Sequence, residues 1–179
     1  VGGGNTAMDV ARTSIRLGAE EVRVVYRRSE EQMPAEKIEI KEAREEGVIF
    51  SYLYAPSLVE SDGEKVTGLK CEKMVLGEKD ASGRQSPVPT GEFVTFEADT
   101  IIAAIGQEVD CGKINVGQGR KKNIAINDGT FETNIKGVFA GGDAATGPKI
   151  AIDAIAQGGR AAKVINSYLE GEIIPYKNI

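Results

Sequence analysis

The feature that most constrains the fold is the run Gly2-Gly3-Gly4-Asn5-Thr6-Ala7, which leads at once into a helical pattern. Ala7, Val10, Ala11, Ser14 and Ile15 recur at helical spacing, Arg12 and Arg16 fall on the other side, and Gly18 supplies a stop. These predict a helix over Asn5–Leu17, followed by a strand over Glu21–Arg28 with the apolar run Val22, Val24, Val25, Tyr26. A G-x-G-x-x-A turn opening such a helix is suited to a dinucleotide pyrophosphate. Gly2 permits the tight turn. Gly4 has no Cβ, so the backbone can approach a phosphate, and Ala7 lets the helix pack close to a sheet. The free N–H groups and the dipole of the helix start add to the attraction, with Gly3, Asn5 and Thr6 in the same turn. The alternative is a purely structural glycine turn. Only Val1 precedes the glycines where a buried strand normally stands, so a cut domain is expected.

The predicted second strand ends in Arg27-Arg28. Sites selective for NAD place an Asp or Glu at about this distance, roughly 20 residues past the glycines, to accept hydrogen bonds from the ribose 2′-hydroxyl. A carboxylate would repel the 2′-phosphate of NADP, whereas two guanidiniums attract it and can fork onto it. The pair therefore points to NADP(H) rather than NAD(H). A solvated basic turn is the bland reading of the same residues.

Further along, a charged helix is expected over Ala35–Glu46, a strand region over Val48–Val59 interrupted at Pro56, and an antiparallel strand over Lys65–Leu76. Lys79–Pro89 reads as a polar loop and Gly91–Glu97 as a further strand. These form a small meander where a crossover helix might stand. Asp99–Gly106, with the run Thr100-Ile101-Ile102-Ala103-Ala104-Ile105, has the composition of a buried central parallel strand. Asp110–Asn123 is a polar linker. The expected architecture is α/β. A Rossmann-like nucleotide domain with an antiparallel β-meander spans residues 1–109, and a second domain spans residues 110–179. In that second part, Ile124-Ala125-Ile126 and Gly137-Val138-Phe139-Ala140 read as short strands, and Pro148–Leu169 as a long helix stopped by Gly171.

Gly141-Gly142-Asp143 lies between a short strand and that helix. An acidic residue there suits a polyol, and the helix start at Lys149-Ile150-Ala151 would turn its positive end toward a flavin edge where negative charge grows on reduction. An ordinary strand–helix turn with an Asp cap explains the spacing equally well.

Several classes are excluded or disfavoured. The sequence has no histidine, which removes Ser-His-Asp and Cys-His catalysis and His-based metal sites. Its net charge of −5 argues against nucleic acid or an anionic membrane surface. No apolar run approaches the roughly 20 residues of a membrane span. Cys71 and Cys111 form no CxxC, so no redox pair and no metal site is expected, only free thiols of a reducing, cytoplasmic compartment. The missing CxxC also speaks against a disulfide reductase of the thioredoxin reductase type. No side chain stands out as an acid or base.

Three segments together resemble the glutamate synthase small (beta) subunit family, NADPH-dependent FAD oxidoreductases of the pyridine nucleotide-disulfide oxidoreductase-like kind. VGGGNTAMDVARTSIRLGAEEVRVVYRRSEEQMPA is similar to that family's NADPH-binding stretch, DTIIAAIGQ to its strand returning to the flavin domain, and TNIKGVFAGGDAATGPKIAIDAIAQGGRAA to its C-terminal flavin-binding stretch. The resemblance implies that Gly2, Gly3, Gly4, Asn5, Thr6 and Ala7 hold the pyrophosphate and that Arg27 and Arg28 contact the 2′-phosphate. It places Gly106 near the junction of two cofactors, Gly142 and Asp143 on the flavin ribityl chain, and Lys149, Ile150 and Ala151 at the isoalloxazine edge. It implies hydride transfer from NADPH to FAD and electron transfer through iron–sulfur clusters to a partner. An amino-terminal FAD/iron–sulfur part of the same protein would be missing here. The partner would be a large subunit or a ferredoxin-like acceptor, since ferredoxin:NADP oxidoreductases share the pattern. A non-catalytic dinucleotide-binding module is the competing reading, and an exposed edge of a cut sheet would invite a homodimer.

Overall fold

The computed structural model describes residues 1–79, 85–119 and 122–178. The chain forms two compact units, Val1–Gly106 and Gln107–Ile179.

In the first unit, helix α1 (Asn5–Arg16) is followed by strand β1 (Arg23–Tyr26), a 3-10 turn (Glu30–Gln32), helix α2 (Lys37–Glu45) and strand β2 (Ile49–Tyr52). β1 and β2 pair in parallel, from Arg23↔Ile49 to Tyr26↔Tyr52. On the other side of β1 lies the start of the chain: Gly2 N–H donates to the Val25 carbonyl at 3.1 Å. Val1 in turn bonds the 101–104 segment, donating to the Ile102 carbonyl at 2.7 Å and accepting from Ala104 N–H at 2.7 Å. That alternation is the parallel pattern. The spatial order is therefore β2, β1, Val1-Gly2, then 101–104, the arrangement of a doubly wound sheet around its first strand.

β1 is buried on both faces, as a central parallel strand should be. Val24 and Tyr26 join Ala7, Met8 and Ala11 of α1 and Ile40 and Ala43 of α2 in one core, with Met8 and Ala43 fully enclosed. Val25 points the other way, onto Leu69 and Cys71. Those two belong to an antiparallel meander of β3 (Tyr54–Ser61), β4 (Val66–Lys79) and β5 (Gln85–Glu97), in the order β3-β4-β5. The unit thus has helices on one face of the parallel sheet and the meander on the other.

The expected strand 48–59 is two strands. The chain leaves the parallel sheet at Leu53, in the left-handed region at φ 62°, and Pro56 sits inside β3 beside a register shift. β5 begins at Gln85 rather than Gly91 because Pro87 and Pro89 lie on an edge strand, where no ladder N–H is needed. The expected polar loop Lys79–Pro89 is strand at both ends, and residues 80–84 of it fall outside the described ones. The segment Asp99–Gly106 is not the buried strand its composition suggests. Among the described residues its ladder partner is Val1 alone, and Ile102 and Ile105 stay 45% and 75% exposed.

In the second unit, the helices among the described residues are α3 (Asp143–Thr146), α4 (Ala151–Leu169) and a 3-10 turn (Tyr176–Asn178). The expected strands are reduced to single bridges, Gln118↔Ile124 and Glu132↔Phe139. Val164, Phe131, Val116 and Ala145 are buried there, with Phe131 against Tyr176 and Phe139 against Tyr168. The spacing of Ile150, Ile152, Ile155, Ala162, Ile165 and Leu169 suggests an apolar face, but of α4 only Val164 and Ser167 are buried, Ile165 is half-buried and the other five are exposed, with no other layer of this unit covering them among the described residues. The linker expected over Asp110–Asn123 is irregular where described, and residues 120 and 121 fall outside. Among the described residues, no helix is long and apolar enough to cross a membrane.

Candidate nucleotide and flavin sites

The glycine turn is built by different constraints at each position. Gly2 has φ 137°, and a Cβ on it would stand 2.2 Å from the Ala104 carbonyl oxygen. A Cβ on Gly3 would stand 2.6 Å from the Tyr26 ring. That ring is buried and its hydroxyl donates to the Gln32 carbonyl at 2.9 Å, so it has no room to move. Gly4 is different. It is the N-cap of α1 in an extended conformation, and a Cβ there would meet only Pro34 Cγ, at 4.0 Å. Nothing in the unit's own packing requires glycine at that position, which leaves space for an external group. Ala7 is buried in the core beneath the turn.

Gly4 carbonyl accepts from Ala7 and Met8 N–H, at 2.9 and 3.3 Å. The N–H groups of Asn5 and Thr6 have no backbone acceptor among the described residues, α1 has no side-chain cap, and its first turn holds no acidic residue. The helix start is therefore electropositive and open. Asn5 has a role that its sequence position does not reveal: its Oδ1 accepts from Glu36 N–H at 2.9 Å. Gly3 carbonyl accepts from Ala35 N–H at 3.1 Å. These two bonds bring the loop after Arg27-Arg28 back to the glycine turn, making the turn and the loop one wall.

Gly2 leaves the sheet bonded to Val25, two residues before Arg27, so the arginine pair and the glycine turn share one end of the sheet. Arg27 is exposed. Arg28 is partly buried, and its Nε donates to the Gln85 carbonyl at 3.3 Å. Neither guanidinium has a carboxylate within ion-pair distance among the described residues. The next carboxylate, Glu30, is held by Arg44 at 2.9 Å, and Arg44 also donates to the Tyr52 hydroxyl at 3.2 Å. Arg44 holds the Glu30 carboxyl below the usual range, while burial and the Glu30 charge push the Tyr52 phenol up to about 12. Sequence reasoning missed both Asn5–Glu36 and Arg44–Glu30; neither follows a local rule, since each joins residues brought together only by the fold.

Gly106 closes the first unit. It is exposed, with φ 92° and nothing near its Cβ position, so the turn needs glycine for its backbone rather than for close packing.

In the second unit, Gly142 caps α3 with φ 63°. Its N–H donates to Gln157 Oε1 of α4 at 2.9 Å, and its carbonyl accepts from Ala145 and Thr146 N–H, each at 3.0 Å. The exposed Asp143 accepts Lys149 N–H on Oδ1 at 3.2 Å. The structure thus brings Gly142, Asp143, Lys149 and the α4 start at Ile150-Ala151 into one turn. A cavity of about 350 Å³ adjoins that turn at Thr146, Gly147 and Pro148. A larger one of about 630 Å³ is walled by the 108–122 stretch and touches none of the expected flavin residues. Among the described residues, no group of three acidic, cysteine or histidine side chains could hold a metal ion.

The geometry defines a class before a family: a doubly wound parallel sheet carrying an antiparallel meander. Its fold is similar to that of T. acidophilum thioredoxin reductase, with a TM-score of 0.77 at 21% identity, over 95% of this chain and 51% of that one. The sequence profile of the pyridine nucleotide-disulphide oxidoreductase family matches residues 1–158, and the chain belongs to that family. It is 43% identical to the NADP(+)-dependent formate dehydrogenase subunit beta of Moorella thermoacetica, over 94% of this chain and 24% of the relative. It is 40% identical to the glutamate synthase [NADPH] small chain of Escherichia coli K12, over 95% of this chain and 38% of the relative. The chain thus spans between about a quarter and two fifths of the length of these relatives. Cys71 and Cys111 are free, so the likeness to a disulfide reductase is one of fold.

Proposed function

We propose that residues 1–109 are the NADP(H)-binding domain, and residues 110–179 the C-terminal part of an FAD-binding domain, of a longer NADPH-dependent oxidoreductase of the glutamate synthase small-subunit type. The observation that carries this reading is the pairing of an open glycine turn with two arginines free of carboxylate partners among the described residues, at one end of one sheet. Gly2 and Gly3 shape the turn, Gly4 gives the pyrophosphate its approach, and the N–H groups of Asn5 and Thr6 take its charge, with Ala7 seating the helix. Arg27 and Arg28 take the 2′-phosphate. Gly142, Asp143, Lys149, Ile150 and Ala151 face the flavin, and Gly106, by resemblance, falls near the junction of the two cofactors. Bound together, the cofactors supply hydride transfer from NADPH to FAD; the protein's part is to place and orient them. Electrons then leave through iron–sulfur clusters to a partner subunit, a role that relatives described as a beta subunit and a small chain support. A cytoplasmic location belongs to the same reading. The formate dehydrogenase relative favours a second one, in which the same module serves a different acceptor.

The test uses the longest natural polypeptide that contains these residues. Fluorescence titration with NADPH and NADH is expected to give tighter NADPH binding, and Arg27→Ala with Arg28→Ala is expected to abolish the difference. Equal affinities in the parent, or an unchanged difference in the double variant, would refute the reading. Adding the large subunit with glutamine and 2-oxoglutarate tests the acceptor; NADPH oxidation without glutamate formation would turn the choice to the second reading.

A further inference from the structure

We infer that Arg44 is a positioning residue for coenzyme choice: by clamping Glu30 it keeps a carboxylate away from the 2′-phosphate that Arg27 and Arg28 receive. This rests on the reading of Arg27 and Arg28 given above. The loop Arg27-Arg28-Ser29-Glu30-Glu31 carries two cations followed by two carboxylates, so on its own it is electrically neutral. A neutral loop is a poor receptor for a dianionic phosphate, and a mobile carboxylate at the end of this strand would favour a ribose hydroxyl instead. The structure engages the first of these carboxylates elsewhere. Glu30 is drawn onto the Arg44 guanidinium at 2.9 Å, and Arg44 is itself fixed from two more sides, by the Tyr52 hydroxyl at 3.2 Å and by the Phe50 ring beneath it at 5.2 Å. Arg44 also adds a third positive charge from α2, a distant part of the sequence.

Both partners are about half exposed, at 51% and 43% for the two side chains, so replacing them should leave the fold intact, which a melting curve checks. The variants are Arg44→Gln, Glu30→Gln, both together, and Arg27→Ala with Arg28→Ala, each titrated with NADPH and with NADH at low and moderate salt. Arg44→Gln is expected to weaken NADPH about fivefold, the scale of one surface charge pair, with NADH unchanged and the loss smaller in salt. Adding Glu30→Gln is expected to restore most of the NADPH affinity. A loss shared equally by both coenzymes would mean that Arg44 only braces the loop, and would overturn the inference. So would an unchanged NADPH affinity in Arg44→Gln, or a double variant no better than the single. If Arg27→Ala with Arg28→Ala abolishes the NADPH preference while Arg44→Gln does not alter it, the role of Arg44 alone fails. If neither alters it, the assignment of the arginine pair fails too.

Discussion

Replacing Gly4 by alanine separates what the glycine turn does for the fold from what it does for a ligand. At Gly4 the backbone is extended, with φ −93° and ψ 179°, which alanine adopts freely, and the new methyl would meet only Pro34 Cγ at 4.0 Å. Alanine is a poorer N-cap than glycine, by up to about 1 kcal/mol. It also restricts the unfolded chain, a gain of about 0.4–1 kcal/mol at a compatible site. The two nearly cancel, so the melting temperature is expected to stay within about 4 °C of the parent. NADPH binding should not be spared. A methyl standing where the pyrophosphate approaches forces an overpacked contact of about 1–3 kcal/mol, roughly a five- to 150-fold weaker Kd. The neighbours supply the contrast. Gly3→Ala drives a methyl to 2.6 Å from an immobile Tyr26 ring, and Gly2→Ala drives one to 2.2 Å from the Ala104 oxygen at φ 137°. Those two are expected to cost stability, about 3 kcal/mol or more at Gly2. Differential scanning fluorimetry and NADPH fluorescence titration read the two quantities separately. A Gly4→Ala protein that melts like the parent and binds NADPH as tightly would show that no phosphate approaches Gly4.

Two further predictions concern stability. Burial pushes the Cys71 thiol up to about 11 from 9.0, so the folded state holds this proton; its contribution is complete below about pH 9 and is lost as pH rises through about 11. Urea midpoints should therefore fall across that window, and native Cys71 should resist iodoacetamide at neutral pH while partly exposed Cys111 reacts; equal labelling rates would contradict this. Arg12 draws Glu39, Glu42 and Glu46 together at 2.6, 2.8 and 2.9 Å, and Arg16 also holds Glu46, so Arg12→Met should lower the melting temperature chiefly through repulsion between Glu39 and Glu42, which lose this partner. Added salt should reduce that loss, and a salt-independent loss would assign the role of Arg12 to packing instead.

What could be read from the sequence was local. The glycine turn, α1, the strand β1 and the α2 pattern each follow from residues a few positions apart, and each is found within about two residues of its expected place. What could not be read depends on pairing. The Leu53 break is set by the change from a parallel partner to an antiparallel one, and no residue type announces a left-handed leucine. The run 100–105 has the composition of a buried strand, but burial needs a ladder on both sides, and among the described residues only Val1 supplies one. The same holds for α4. Its isoleucines have helical spacing without a layer of their own unit to cover them. At the candidate site, the Arg27-Arg28 pair was legible, whereas the Arg44 clamp on Glu30 crosses from α2 to the loop and leaves no spacing signature.

The two glycine turns differ in a way that bears on how each would meet a ligand. At the first, the donors that a phosphate needs are already free: the N–H groups of Asn5 and Thr6 have no backbone acceptor among the described residues, and the loop that faces them is tied in place by Gly3 and Asn5. A phosphate there would meet donors organised before binding and would cost no internal bond on contact. At the second, the groups are already in use. Gly142 N–H is bonded to Gln157, and Asp143 to Lys149 N–H. A ligand that took the Gly142 N–H would have to displace the Gln157 amide, an exchange of about 1 kcal/mol that no bond is lost to at Gly4. The second oxygen of Asp143 has no partner among the described residues, so it could accept a hydroxyl while the first keeps the turn closed. One oxygen of Asp143 thus ties the turn at Lys149 while the other is left for a ligand, although the carboxylate caps neither helix: the N-caps are Gly142 and Ile150, and neither helix has a side-chain cap.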